Sequence, residues 1–238
     1  MLEKSKVHNT AMSGEEDCFQ GQKDRIRKRL LKYTRKAFRM LPKLDEPRIL
    51  DIGCGSGVPT MELVRLCNGK ITALDIDQDM LDILSGKVEK AGLSNRVKVV
   101  NRSLFDMQLP DGSFDIIWAE GSINIISFKK GLQEWKRFLK PDGFMVVHDE
   151  KNNVREKLKQ ISDCGYGLLG YFELDSETWN REYFIPLEKL VDETRAKYPD
   201  VPRVVEILHD ARQEIDMFKN NPERSSSVCF VMKRSDVK

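Results

Sequence analysis

The sequence of 238 residues predicts an α/β fold, a doubly wound and mostly parallel sheet with helices on both faces. Three observations carry this expectation. Short apolar runs alternate with helical patterns between residues 48 and 163. A turn holding Gly53, Gly55 and Gly57 follows the first apolar run and precedes a helix-like stretch. Two more strand patterns close the chain and flank a helical stretch, so the sheet counts seven strands.

Residues 1–18 read as mobile. "KDRIRKRLLKYTRKAFRML" (23–41) predicts a helix: Ile26, Leu30, Ala37 and Leu41 recur near helical spacing, and basic residues fill the other faces. "PKLDEP" breaks the chain, and "RILDI" is the first strand. "KITALD" (70–75) is the second. Residues 77–92 form a helix with Met80, Leu81, Leu84 and Val88 on one face, ended by Gly92. "VKVVN" (97–101) and "DIIWAE" (115–120) are strands, the latter entered by the turn "PDGSF". Residues 128–139 form a helix closed by "KPDG", then come a strand at 144–149 and a helix at 153–163. "YGLLGYFEL" (166–174) and "SVCFVMK" (227–233) are the final strands. The residues between them read as an insertion: Pro186 fits a first helical turn, with Leu187, Leu190, Val191 and Thr194 on one face. A second helix there aligns Val204, Leu208, Ala211, Ile215 and Phe218.

Composition bounds the function. Apolar residues make up 40% and charged residues 33%, an ordinary globular balance, and the net charge of +2 gives no strong argument for nucleic acid or an anionic membrane. No run reaches the roughly 20 apolar residues of a spanning helix, and the N-terminus lacks a signal-peptide core. The five cysteines form no CxxC pair, which reads as free thiols in a reducing, cytoplasmic setting. His8, His148 and His209 are far apart, so no metal site is expected.

The glycine turn poses the question of its ligand. A dinucleotide fingerprint is GxGxxG, whereas here the spacing is GxGxG and Val58 stands at the third glycine position. Asp51 lies two residues before Gly53. A pyrophosphate would be repelled by that carboxylate, and a cationic head attracted. Asp75 ends the second strand, where a carboxylate can accept two hydrogen bonds from a ribose diol. A cationic head, a ribose and no phosphate describe S-adenosylmethionine. The plainer roles are loop capping for Asp51 and a surface position for Asp75.

From Arg48 to Asp149 the chain resembles the class I S-adenosylmethionine-dependent methyltransferases, and within them the small-molecule, quinone-biosynthesis-like branches. "ILDIGCGSG" is similar to their first motif, "ALDID" to the acidic end of strand two, and "LPDGSFDIIWAEGSI" and "FLKPDGFMVVHD" to the runs through strands four and five. The resemblance implies an antiparallel last strand. It implies that Gly53 accepts from the methionyl ammonium with Asp51 nearby, and that Cys54, Gly55, Ser56 and Gly57 let backbone approach the cofactor. It also implies that Asp75 holds the ribose and that Ile76 packs on the adenine. Where relatives carry an Asp-Ala pair reading the adenine edge, this chain has Ser103 and Leu104, with Asp106 as a second candidate.

Methyl transfer needs an in-line nucleophile and a site that excludes water; an acid or base is needed only if the nucleophile must lose a proton. Glu120 and His148, ending strands four and five, are the candidates for that proton, and Glu120 also for cofactor contact. Trp179, Tyr183 and Phe184 are the candidates for the acceptor's wall, with a homodimer contact as the competing role. Residues 1–44 are then a helical lid, 45–174 and 225–238 the core, and 175–224 a substrate cap. "AEGSI" after strand four is not the Asn/Asp-Pro-Pro-Tyr/Phe of amide- and adenine-methylating enzymes, so the expected partner is a small-molecule acceptor. The alternatives are an RNA methyltransferase using the basic helix at 23–39, a non-catalytic S-adenosylmethionine-binding protein, and an NAD-dependent oxidoreductase.

Overall fold

The computed structural model describes residues 14–235, apart from the side chains of residues 15–17 and 223–224. Its strands are β1 (Arg48–Ile52), β2 (Lys70–Asp75), β3 (Val97–Asn101), β4 (Phe114–Glu120), β5 (Leu139–Glu150), β6 (Tyr166–Leu174) and β7 (Ser227–Arg234). They form one sheet in the order β3-β2-β1-β4-β5-β7-β6. The first five pair in parallel, and β7 runs antiparallel to both β5 and β6. The winding reverses between β1 and β4, which opens a crevice at their carboxyl ends. The register there sets Asp51 opposite Ala73 and Trp118, and Glu120 opposite His148.

The helices are α1 (Gly14–Arg27), α2 (Leu31–Arg39), α3 (Val58–Leu66), α4 (Gln78–Lys90), α5 (Phe128–Trp135), α6 (Val154–Asp163), α7 (Ser176–Trp179), α8 (Ile185–Lys197) and α9 (Pro202–Asn220). Neighbouring residues on each strand point to opposite faces, and two cores result. Ile49, Ile71, Trp118 and Val146 pack with Leu63, Leu81 and Leu84 of α3 and α4. Leu50, Ile117 and Val147 pack with Leu132 and Trp135 of α5 and Ile161 of α6. The first core also takes in Leu30 and Ala37 from the N-terminal segment and Leu187, Leu208 and Ile215 from the insertion. Each such side chain contributes roughly 1.5–3 kcal/mol when fully buried, so both segments are held to the sheet by apolar area.

Two local readings differ from the structure, and a third holds with an added feature. The helix expected at 23–41 starts at Gly14 and is interrupted by a 3-10 turn at Lys28–Leu30. Residues 14–18, read as mobile, are its first turns; residues 1–13 lie outside the described residues. Pro186 stands in the first turn of α8, as expected, and α7 leads into α8 through a π turn at Asn180–Phe184. Proline has no N–H and crowds the carbonyl four residues back, and a wider turn just before it relieves both. β5 begins at Leu139, earlier than its apolar run, and pairs with β4 through a register shift between Phe114 and Ile116. Among the described residues no helix is long and apolar enough to cross a membrane.

Candidate active site

The glycine turn is shaped by its neighbours. Gly53, Gly55 and Gly57 have φ of +74°, +50° and +80°. A Cβ on Gly53 would lie 2.5 Å from Ser122 Cβ, and one on Gly57 2.2 Å from Leu84 Cδ1. A Cβ on Gly55 would meet nothing within 4 Å, so this glycine alone faces open space. The Gly53 and Cys54 N–H groups both donate to Leu74 O, at 2.8 and 3.1 Å. Cys54 is buried, and burial pushes its thiol far above the usual range.

Asp75 organises the turn's outer side. Its Oδ2 accepts from Gly55 N at 2.7 Å, and its Oδ1 accepts from Ile76 N at 2.7 Å and Asp77 N at 3.0 Å. Ile76 beside it is 69% exposed, an apolar surface free for a ring to cover. Ser103 Oγ accepts from Phe105 N at 3.2 Å, and the Asp106 carboxylate takes Gln108 Nε2 at 2.9 Å. Leu104 packs its side chain on the second core, which leaves only its backbone for an adenine edge.

Asp51 ends β1 in full burial and accepts from Thr60 Oγ1 at 2.6 Å. Burial pushes its carboxyl up to about 7, the Thr60 hydrogen bond works against this, and the Glu120 and Asp75 charges add to it. A buried carboxylate between two others is a place for a cation. An open side at Gly55, a carboxylate that wants a cation and a second carboxylate at the strand end fit S-adenosylmethionine.

Glu120 is largely committed. Its Oε1 accepts from Thr34 Oγ1 at 2.8 Å and from Trp118 Nε1 at 3.0 Å, and Arg27 Nη2 lies 3.6 Å from its Oε2. Thr34 and Arg27 belong to α2 and α1, so this carboxylate anchors the N-terminal segment across the crevice. Neither partner was singled out from sequence, since both are hidden among residues read as a basic helix.

Beyond Glu120 lies a cavity of about 210 Å³ at the carboxyl ends of β4 and β5, lined by Arg27, Gly121, His148, Trp179, Phe184 and Ser227 among others. His148 Nε2 and Trp179 Nε1 both lie on Ser227 Oγ, at 2.7 and 2.8 Å. The indole N–H can only donate, so Ser227 accepts from it. The His148 and Trp179 rings stack with centroids 6.0 Å apart. Burial lowers His148 to about 4, Glu120 and Asp149 oppose this and Arg27 assists it, so the ring is neutral at pH 7. Tyr183, expected at the acceptor's wall, instead lies in the first core against Trp179 and Phe184. Ser227 went unread because nothing in its local sequence distinguishes it within a serine run.

Residues 49–143 match a protein family described as a methyltransferase domain. This stretch is similar to methyltransferase domains, and solved S-adenosylmethionine-dependent methyltransferases share its fold. The 27-O-demethylrifamycin SV methyltransferase of Amycolatopsis mediterranei is 23% identical over 182 residues, 74% of this chain and 67% of that one. The sterol 24-C-methyltransferase ERG6B of Gibberella zeae is 29% identical over 137 residues, 54% of this chain and 36% of that one. The chain therefore spans about a third of that sterol enzyme. Among solved structures the cyclase SpnF superposes with a TM-score of 0.70 at 20% identity, covering 86% of this chain and 81% of that one. That likeness concerns the methyltransferase-like fold, which hosts more than one reaction.

Proposed function

We propose that the protein transfers a methyl group from S-adenosylmethionine to a small-molecule acceptor seated in the cavity between His148, Trp179 and Phe184. The observation that carries this reading is the cavity's place. Ser122 packs against the Gly53 position and Gly121 lines the cavity, so the glycine turn and the acceptor space share one loop.

Asp51 and the Gly53 carbonyl would hold the cofactor's ammonium, Asp75 its ribose, and Ile76 with the Ser103–Leu104 backbone its adenine. The cofactor, when bound, supplies an electrophilic methyl group. The chain supplies position and dryness: Trp179 and Phe184 wall off water, and the Ser227 hydroxyl fixes both Trp179 and His148. Neutral His148 can accept a proton from a hydroxyl or ammonium acceptor. Glu120, held by Thr34, Trp118 and Arg27, is the second candidate for that proton. Residues 14–44 act as the lid and 175–224 as the cap.

The internal pairing of the basic helix weighs against an RNA track. Lys23, Arg27, Lys32 and Arg35 pair with Glu214, Glu120, Glu182 and Glu62, and Lys36 lies 4.2 Å over the Phe172 ring. The test is release of S-adenosylhomocysteine across a panel of hydroxylated, amino and apolar acceptors. Turnover that requires an acceptor and falls in His148→Ala supports the reading. Cofactor binding with turnover only on RNA, and affinity falling steeply with salt, would replace it.

A further inference from the structure

The glycine turn is gripped from outside by α1. Asp24 is 4% exposed although it stands in the middle of a polar helix. Its Oδ1 accepts from Ser56 Oγ at 2.6 Å and from Gln20 Nε2 at 3.0 Å, and its Oδ2 takes the Lys87 ammonium of α4. Lys87 also donates to Ser56 O at 2.6 Å. Ser56, in the middle of the turn, is thus held at both its hydroxyl and its carbonyl. The same helix is tied at two further points, Lys23 to Glu214 of α9 at 2.9 Å and Arg27 to Glu120 at 3.6 Å. Arg27 also lies 5.3 Å over the Trp179 ring and lines the acceptor cavity.

We propose that Asp24 is a positioning residue: its clamp on Ser56 and Lys87 must open for the cofactor to exchange, and must close for Arg27 to complete the acceptor cavity. The proposal rests on the cofactor site above. From Ser56 to Glu120 the N-terminal segment bridges the carboxyl end of β1, where Asp51 sits. A ligand reaching Asp51 and Asp75 passes this bridge. A buried carboxylate with three donors is favourable only while all of them are present, so the clamp is either wholly made or broken. Because α1 carries both Asp24 and Arg27, the acceptor space is finished only after the clamp shuts. The cofactor then binds first and the acceptor second.

The test is stopped-flow association and dissociation of S-adenosylhomocysteine on the full chain, followed by tryptophan fluorescence, since Trp179 lies beneath Arg27. Lys87→Met and Asp24→Asn should each raise both rates about tenfold or more, on the scale of a lost charge-assisted hydrogen bond. Equilibrium affinity should move less than either rate, and Lys87→Arg should restore wild-type exchange. Lys87 is the safer site, because its side chain is 29% exposed and its replacement leaves the core intact. Faster dissociation with unchanged association would mean a merely loosened turn and would overturn the gate. So would two unchanged rates. Wild-type protein that fails to bind S-adenosylhomocysteine at all would instead bring down the cofactor reading itself.

Discussion

Glu120 offers a sharp test of how the N-terminal segment is fastened. In Glu120→Ala two buried donors lose their acceptor: Trp118 Nε1, on a fully buried ring, and Thr34 Oγ1, on a residue 4% exposed. Each unsatisfied buried donor costs about 1–3 kcal/mol, so the pair costs about 2–6 kcal/mol. Folded domains have only about 5–15 kcal/mol in all. Glu120→Gln keeps an oxygen for both donors and loses only the charge facing Arg27. That pair is loose at 3.6 Å, and the Arg27 side chain is 27% exposed, so it contributes about 0–1 kcal/mol. Urea unfolding of the two variants should therefore show Glu120→Ala far below wild type and Glu120→Gln close to it, at unchanged slope. In thermal scans a chain of this length loses about 2–4 °C per kcal/mol. If the two variants fall together, the charge on Arg27 is the true anchor and the hydrogen-bond account is wrong.

Other outcomes follow from single geometric facts. Gly57→Ala, with its Cβ against Leu84 and φ of +80°, should melt well below Gly55→Ala, whose Cβ meets nothing; Gly55→Ala should instead lose cofactor affinity in calorimetry, and the reverse order would refute the assignment of the open side. Asp51 and His148 bias stability in opposite directions with pH. Asp51, raised from 3.8 to about 7, stabilises the fold at low pH and loses this as pH rises through that window. His148, lowered from 6.5 to about 4, stabilises above 6.5 and loses this as pH falls toward 4. Against wild type, the stability of Asp51→Asn should therefore rise more steeply between pH 4 and 6.5 and that of His148→Gln should fall more steeply; matching profiles in urea titrations would count against both burial effects. Trp179→Phe keeps an aromatic wall but loses the bond to Ser227, so the acceptor's KM should rise while cofactor affinity stays level; a cofactor effect of equal size would place Trp179 at the wrong ligand.

The sheet was legible where a strand's own residues decide it. "KITALD", "VKVVN" and "YGLLGYFEL" became β2, β3 and β6 with the expected bounds, because β-branched and aromatic runs between turn residues have few other uses. The placement of Asp51, the glycine turn and Asp75 about the ends of β1 and β2 was legible for the same reason. What stayed hidden depends on partners distant in sequence. Asp24 reads as one acid among bases until Ser56 and Lys87 close on it, 32 and 63 residues away. Thr34 reads as a weak helix former until Glu120 reaches it, 86 residues away. The start of α1 was missed because its mean polarity is high and its buried side, with Phe19 and Asp24, mixes apolar with charged residues. Tyr183 was misplaced because an aromatic cluster does not reveal which ring faces inward.

The most direct test of the central claim is a calorimetric titration of the full chain with S-adenosylhomocysteine and, separately, with NAD. Asp51 at the end of β1 and the Asp75 carboxylate on Gly55 predict saturable binding of the first and none of the second. Asp75→Ala should weaken that binding by about 1.5–3 kcal/mol, the scale of hydrogen bonds to a charged group. Binding of NAD without S-adenosylhomocysteine, or an Asp75→Ala variant with unchanged affinity, would contradict the site as built from these residues.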